Sequence, residues 1–154
     1  MSDFQPPAGF KPLPLDNSFN DCFAPVYMLI DDDGPRIGMR VEKKHLNSMG
    51  IVHGAVYMTL LDIAFATLVG HAQGKYTGTP TININIDYMA STKEGEWLYT
   101  DCECLKLSNT MGFTKGIVRS AEEVKVGGSG IFKRPNNLEA AAGMSVDEVR
   151  KMWS

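Results

Sequence analysis

One acidic side chain, Asp62, stands in the segment HLNSMGIVHGAVYMTLLDIAFATLVG (residues 45–70), among neighbours that are almost wholly apolar from Ala55 to Val69. Three readings of such a carboxylate exist. It neutralises a buried cation, which the absence of Lys and Arg between His45 and Gly74 argues against. It faces out through a gap in the packing. Or it serves chemistry, because desolvation raises a carboxyl pKa and makes the group a better base. On this residue alone the second and third readings stay open.

Eight residues earlier (62 − 54), VHGA places Gly54 where the first free N–H groups of a helix point. Those groups and the positive end of the dipole favour developing negative charge, so the position suits an oxyanion or a polarised carbonyl. Relief of a tight loop-to-helix junction explains a glycine there equally well. Asn47, six residues before His53, offers an amide able to hold a water or a carbonyl oxygen. Geometry then makes a demand. A rise of 1.5 Å per residue puts about 12 Å between Gly54 and Asp62 along one helix, too far for one reacting carbonyl to touch both. If the two cooperate, a second copy lies antiparallel and brings its Gly54 beside this Asp62. A two-fold homodimer with two equivalent sites supplies that arrangement.

Periodicity indicates the elements that position these residues. FAPVYMLI (23–30) and RIGMRVE (36–42) read as two strands of a hairpin around DDDGP (31–35). From about His53 to Ala72 apolar residues occupy every side of the wheel, which predicts a helix enclosed by other structure. Gly70 and Gly74 bracket its end. Four strands follow without another helix: TPTININIDYMA (79–90), GEWLYTDCECLKLS (95–108), TMGFTKGIVRSAEE (110–123) and VKVGGSGIFKR (124–134). In the first, Ile82, Ile84, Ile86 and Tyr88 face one way and Thr81, Asn83, Asn85 and Asp87 the other. In the last, the glycines allow a bend or bulge. Ser145 with Glu148 three residues on is a capping box for a short final helix. The order implies an α+β antiparallel sheet of about five to six strands in hairpin-like succession, curled around one long helix, and excludes a Rossmann alternation. Residues 1–20 form an extended arm, 21–135 the domain, and 136–154 a tail with the short helix.

Composition narrows the functions. The chain of 154 residues carries net charge −3 with 21% charged residues, so neither nucleic acid nor an anionic membrane is indicated as partner. No window of 18–20 uninterrupted apolar residues exists to span a membrane, and MSDFQPPAGFKPLPLDNSF has no apolar core for a secretory leader. Cys22, Cys102 and Cys104 are odd in number and lack a zinc or redox spacing, which suggests reduced thiols packed as small hydrophobes in a cytoplasmic protein. No His or Cys cluster has metal-ligand spacing, and no Ser sits in a nucleophile-elbow pattern. His45 reads as a loop residue and His71 as a helix-end residue favoured by the dipole.

The pattern N-x5-HG-x7-D (Asn47, His53, Gly54, Asp62), with TININIDYMASTKEGEWL after the helix, resembles the hotdog-fold acyl-CoA thioesterases of the PaaI and Them2-like branch of the 4-hydroxybenzoyl-CoA thioesterase superfamily. The likeness spans about residues 40–134. It implies the hotdog fold, a homodimer often paired again into a tetramer, and hydrolysis of an acyl-CoA thioester to free acid and CoA. No cofactor or metal is implied, since coenzyme A enters as part of the substrate. By this resemblance Asp62 is general base or nucleophile and the Gly54 amide polarises the thioester carbonyl. Asn47 positions the water or that carbonyl, Thr81 orients the water or Asp62, and His53 supports the loop and approaches the thioester sulfur. Asn47 and Gly54 come from one subunit, Asp62 and Thr81 from its mate. Two departures occur: Ala55 stands where the family commonly has a second glycine, and Ser91 and Thr92 where a proline often follows YM.

Two rivals share the fold. A hotdog dehydratase pairs a catalytic His with an acid nearer the helix start than this spacing allows. An acyl-CoA-binding module without turnover keeps the pocket but gives no reason for Asp62 and Thr81. Lys106, Lys133 and Arg134 are candidates to meet CoA phosphates, although solvated surface charge explains each of them as well.

Overall fold

The computed structural model describes residues 3–154; the first two residues of the expected arm, Met1 and Ser2, lie outside them. The chain runs β1 (Lys11–Pro12), β2 (Tyr27–Asp31), β3 (Gly34–Arg40), α1 (Gly54–Ala72), β4 (Lys75–Thr77), β5 (Thr81–Tyr88), β6 (Trp97–Leu107), β7 (Met111–Arg119), β8 (Val124–Lys133), β9 (Gly143–Ser145) and α2 (Val146–Trp153). Seven strands form one antiparallel sheet in the order β1-β2-β3-β6-β7-β8-β5. The sheet wraps α1, which packs on β3, β5, β6, β7 and β8. This is the hotdog architecture expected.

Alternation decides the core face. Ile37, Met39, Val41, Leu98, Val118, Val126 and Phe132 point at Leu60, Leu61, Ala64, Phe65 and Val69 of α1. The helix sits close because β7 and β8 each place a glycine beneath it. A Cβ on Gly112 would lie 2.6 Å from Val69 Cγ2, and one on Gly130 would lie 2.8 Å from Phe65 Cδ2. The β8 glycines thus serve close approach rather than a bend, since the register shifts fall elsewhere, at Thr81/Asn83, Cys104/Lys106 and Val118/Arg119. Gly70 stays within the helix to admit Tyr76, and Gly74, at φ +86°, follows its end.

The strands do not follow one another as hairpins throughout. β5 skips β6 and pairs with β8 at the far edge, while β6 pairs with β3. A chain that wraps a helix must cross once from one edge to the middle, and residues 89–96 make that crossing. Buried Lys125 holds it, donating to the Ser91 carbonyl at 2.8 Å and pairing with Glu96 at 3.2 Å and Glu123 at 2.8 Å. Val52 N–H donates to the Thr92 carbonyl at 2.9 Å, and the Tyr57 and Thr92 hydroxyls are 2.6 Å apart, so the crossing also fixes the start of α1.

The arm adds β1 to the sheet edge and lays Phe4 and Phe10 on Trp97, with ring centroids 5.7 and 5.1 Å apart, on the face turned away from α1. The capping box forms: Ser145 Oγ accepts the Glu148 N–H at 3.2 Å, and Glu148 Oε2 accepts the Ser145 N–H at 2.7 Å. The preceding β9, which pairs with β4, has no sequence counterpart. Cys102 is largely enclosed and burial pushes its thiol up to about 12, but Cys22 is exposed rather than packed.

One expectation about α1 needs correction. Its inner side is buried, but a stripe through Ala55, Met58, Thr59, Asp62 and Ala66 is not. A sheet that cups a helix covers only part of its circumference. The uncovered stripe runs beside β5, whose outer edge has no strand partner among the described residues.

Candidate active site

The start of α1 is a built junction. Asn47 Oδ1 accepts the backbone N–H groups of Met49 at 2.9 Å and Ile51 at 3.4 Å, tying the turn 47–51. With its carbonyl used in this way, the side chain has only its NH2 donors to offer a ligand. His53 is the N-cap: Nδ1 accepts the Ala55 N–H at 3.0 Å and its carbonyl accepts the Val56 N–H at 2.9 Å. Among the described residues nothing accepts the Gly54 N–H, which is the group a carbonyl oxygen would use. Tyr88, read from the sequence only as a strand-face residue, closes over this point. Its hydroxyl donates to the Gly54 carbonyl at 3.0 Å, and a Cβ at residue 54 would stand 3.3 Å from the ring. Close approach of an aromatic ring therefore accounts for the glycine.

His45 is not a loose loop residue. It ends a 3-10 turn, Lys43–His45, and is buried. Nδ1 accepts the Glu42 N–H at 2.9 Å, so the ring proton sits on Nε2, which faces the Phe23 carbonyl at 3.3 Å. Burial lowers its pKa below the ordinary value, outweighing that hydrogen bond. Its carbonyl accepts the His53 N–H at 2.9 Å, making it a buttress of the helix start. His71 is likewise lowered, by burial and then by Arg150, and its Nδ1 is 2.9 Å from the Tyr76 hydroxyl.

Two turns along α1, Asp62 is half-buried on the uncovered stripe, and Thr81 Oγ1 donates to its Oδ1 at 2.5 Å. Strict alternation would have turned Thr81 away with Asn83 and Asn85, which bond each other at 2.6 Å. The register shift between Thr81 and Asn83 re-aims the first residue of β5 towards the helix. Thr81, Asp62, Met58, Thr59 and Ile84 line an open cleft of about 380 Å³, joined by Phe19 and Asn20 from the segment before β2.

The structure therefore brings Asp62 to Thr81, and Asn47 to His53 and Gly54, but keeps these two groups apart within one chain. Neither Gly54 nor Asn47 lines the Asp62 cleft. Lys133 follows Phe132, the register partner of Thr81. Arg134 is spent on the Gln73 side chain at 3.1 Å and the Ser108 carbonyl at 2.5 Å. Among the described residues no three His, Cys, Asp or Glu side chains gather as a metal site.

A sheet cupping one helix, with an acid on the helix face and a free N–H at its tip, defines a hotdog-type protein. The sequence profile of the thioesterase superfamily matches residues 49–126, and the chain belongs to that family. It is 25% identical over 130 residues to a Pseudomonas aeruginosa protein whose esterase activity is itself only inferred, covering 84% of this chain and 97% of that one. It is 34% identical over 77 residues to human acyl-coenzyme A thioesterase 13, spanning 49% of this chain and 54% of that protein. The fold is similar to that of zebra fish thioesterase superfamily member 2, with a TM-score of 0.68 at 23% identity over 77% of this chain and 87% of that one.

Proposed function

We propose that the protein hydrolyses an acyl-CoA thioester to the free acid and CoA at two composite sites of a homodimer. The observation that carries this reading is the Thr81–Asp62 hydrogen bond beside an open cleft, on a helix face that borders an unpaired strand edge. β5 holds eight residues without a lysine or proline to guard that edge. Ile82 and Tyr88 on it are each 53% exposed. A second copy added there covers the apolar surface and sets its own Gly54 N–H against this Asp62. The name of the human relative supplies the acyl-CoA class.

The chemistry follows from the groups present. One subunit's Gly54 N–H donates to the thioester oxygen, aided by the helix dipole, and the Asn47 amide steadies the carbonyl or the water. In the mate, Thr81 occupies Asp62 Oδ1 and leaves Oδ2 for the reaction. As a base, Asp62 takes a proton from water as the hydroxide adds to the carbonyl carbon; the tetrahedral oxyanion then collapses and CoA leaves as thiolate, taking that proton. As a nucleophile, Asp62 attacks the carbonyl carbon and expels CoA as thiolate, forming a mixed anhydride; water then adds to the Asp62 carbonyl of that anhydride and releases the acid. A single turnover in labelled water separates the two, because the first route puts the solvent oxygen into the released acid and the second puts it into the Asp62 carboxylate. His53 acts as the helix cap. No cofactor enters either route.

A panel of acyl-CoA thioesters assayed for thiol release tests the reading. The wild type releases thiol and Asp62→Asn does not. If Asp62→Asn turns over at the wild-type rate, the assignment fails.

A further inference from the structure

The segment between β1 and β2 has no regular element beyond a 3-10 turn, Phe19–Cys22, yet it is firmly held. The Asp21 carboxylate accepts the N–H groups of Asp16 at 3.2 Å and Asn17 at 2.8 Å, and Ser18 caps the turn. Phe23 stacks on buried His45, with ring planes 7° apart. Lys44 donates to the Ala24 carbonyl. These anchors tie the turn to the same His45 that buttresses the helix start. They hold forward Phe19, 66% exposed, whose ring meets that of Phe23 edge-on with centroids 5.1 Å apart, and the exposed Asn20.

Both line the Asp62 cleft. Asn20 also lines a second cleft of about 210 Å³, whose apolar walls include Leu13, Leu15, Val26 and Ile63. Asn20 is thus a wall that the two clefts share. The exposed Phe19 ring lines the same cleft as Asp62, and an apolar acyl group lying beside Asp62 would cover it.

We propose, resting on the thioesterase reading above, that Phe19 and Asn20 form a partition that ends the acyl pocket and restricts the protein to short, apolar acyl thioesters. Long chains are refused because the second cleft, large enough to extend the pocket, lies behind the partition.

The test is the chain-length profile of kcat/KM over straight-chain acyl-CoA thioesters from acetyl to palmitoyl, with dimer content followed by gel filtration. Asn20→Ala opens the wall the two clefts share, Phe19→Ala widens the Asp62 cleft beside it, and each raises the ratio of long-chain to short-chain kcat/KM by about tenfold, the scale of a changed apolar pocket contact. Asn20→Trp thickens the partition at the expense of the Asp62 cleft, which Asn20 also lines, and moves the optimum towards shorter chains, giving a second variant of opposite sign. A uniform change across the panel, or a loss of dimer with an unmoved profile, overturns the partition and leaves the thioesterase reading standing. A wild type inert towards every thioester overturns that reading and the partition with it.

Discussion

Thr81→Val removes one hydroxyl, keeps the β-branched shape and leaves the strand register alone. The lost interaction is the 2.5 Å bond to Asp62 Oδ1. Hydrogen bonds to charged groups contribute about 1.5–3 kcal/mol, and the half-exposed setting of Asp62 argues for the low end. A loss of about 1.4 kcal/mol in the transition state is about tenfold in rate. Because the bond aims the acid rather than holding the substrate, the loss falls on kcat with KM little changed. Steady-state thiol release from the best acyl-CoA, measured on Thr81→Val and Thr81→Ser side by side, reads it directly. Serine restores the donor and recovers most of the rate. A valine variant as fast as wild type, or a serine variant as slow as valine, refutes the orienting role of Thr81.

Two further outcomes concern the scaffold. The fold lowers the pKa of both His45 and His71 from the ordinary 6.5, through burial first in each case. Neutral imidazole is thus the form the fold prefers, and this stabilisation is full above about pH 6.5 and is lost as pH falls towards the folded values. The melting temperature followed from pH 8 to 5 should fall on the acid side, and His45→Gln should flatten part of that fall. Gly130→Ala sets a methyl 2.8 Å from Phe65 Cδ2 and 2.7 Å from Phe132 Cε2. Overpacking of this kind costs about 1–3 kcal/mol, read as a melting temperature lower by several degrees; an unchanged value means that α1 does not rest on the β8 backbone.

Where local pattern and tertiary demand agree, the residues foretell the structure. Alternation located β3 and β5, the apolar run located α1, and the Ser145–Glu148 pair located α2, because each signal is complete within a few positions. Strand order was not legible: nothing in TININIDY shows that β5 pairs with β8 rather than β6, a choice imposed by wrapping the helix. The helix pattern predicted enclosure, and the single chain leaves a stripe open, since a wheel does not tell which neighbour covers a face. Asn47, His53, Gly54 and Asp62 stood out by type and spacing. Thr81 entered through resemblance, and its inward turn depends on a register shift that alternation hides. Tyr88 over Gly54, and Phe19 and Asn20 beside Asp62, are distant in sequence from the groups they meet. Only the fold brings them there.

Composite sites are most directly tested by mixing two variant chains. Asp62→Ala removes the acid, and Asn47→Asp keeps the oxygen that ties the turn 47–51 while deleting the amide donors. Each homodimer should be inactive. After subunit exchange of equal amounts, half the dimers are mixed and each holds one intact site, so activity should return to about a quarter of the wild-type level. A mixture that stays as inactive as its parents, with exchange verified by mass, places Asn47 and Asp62 of each site on one chain and contradicts the shared site.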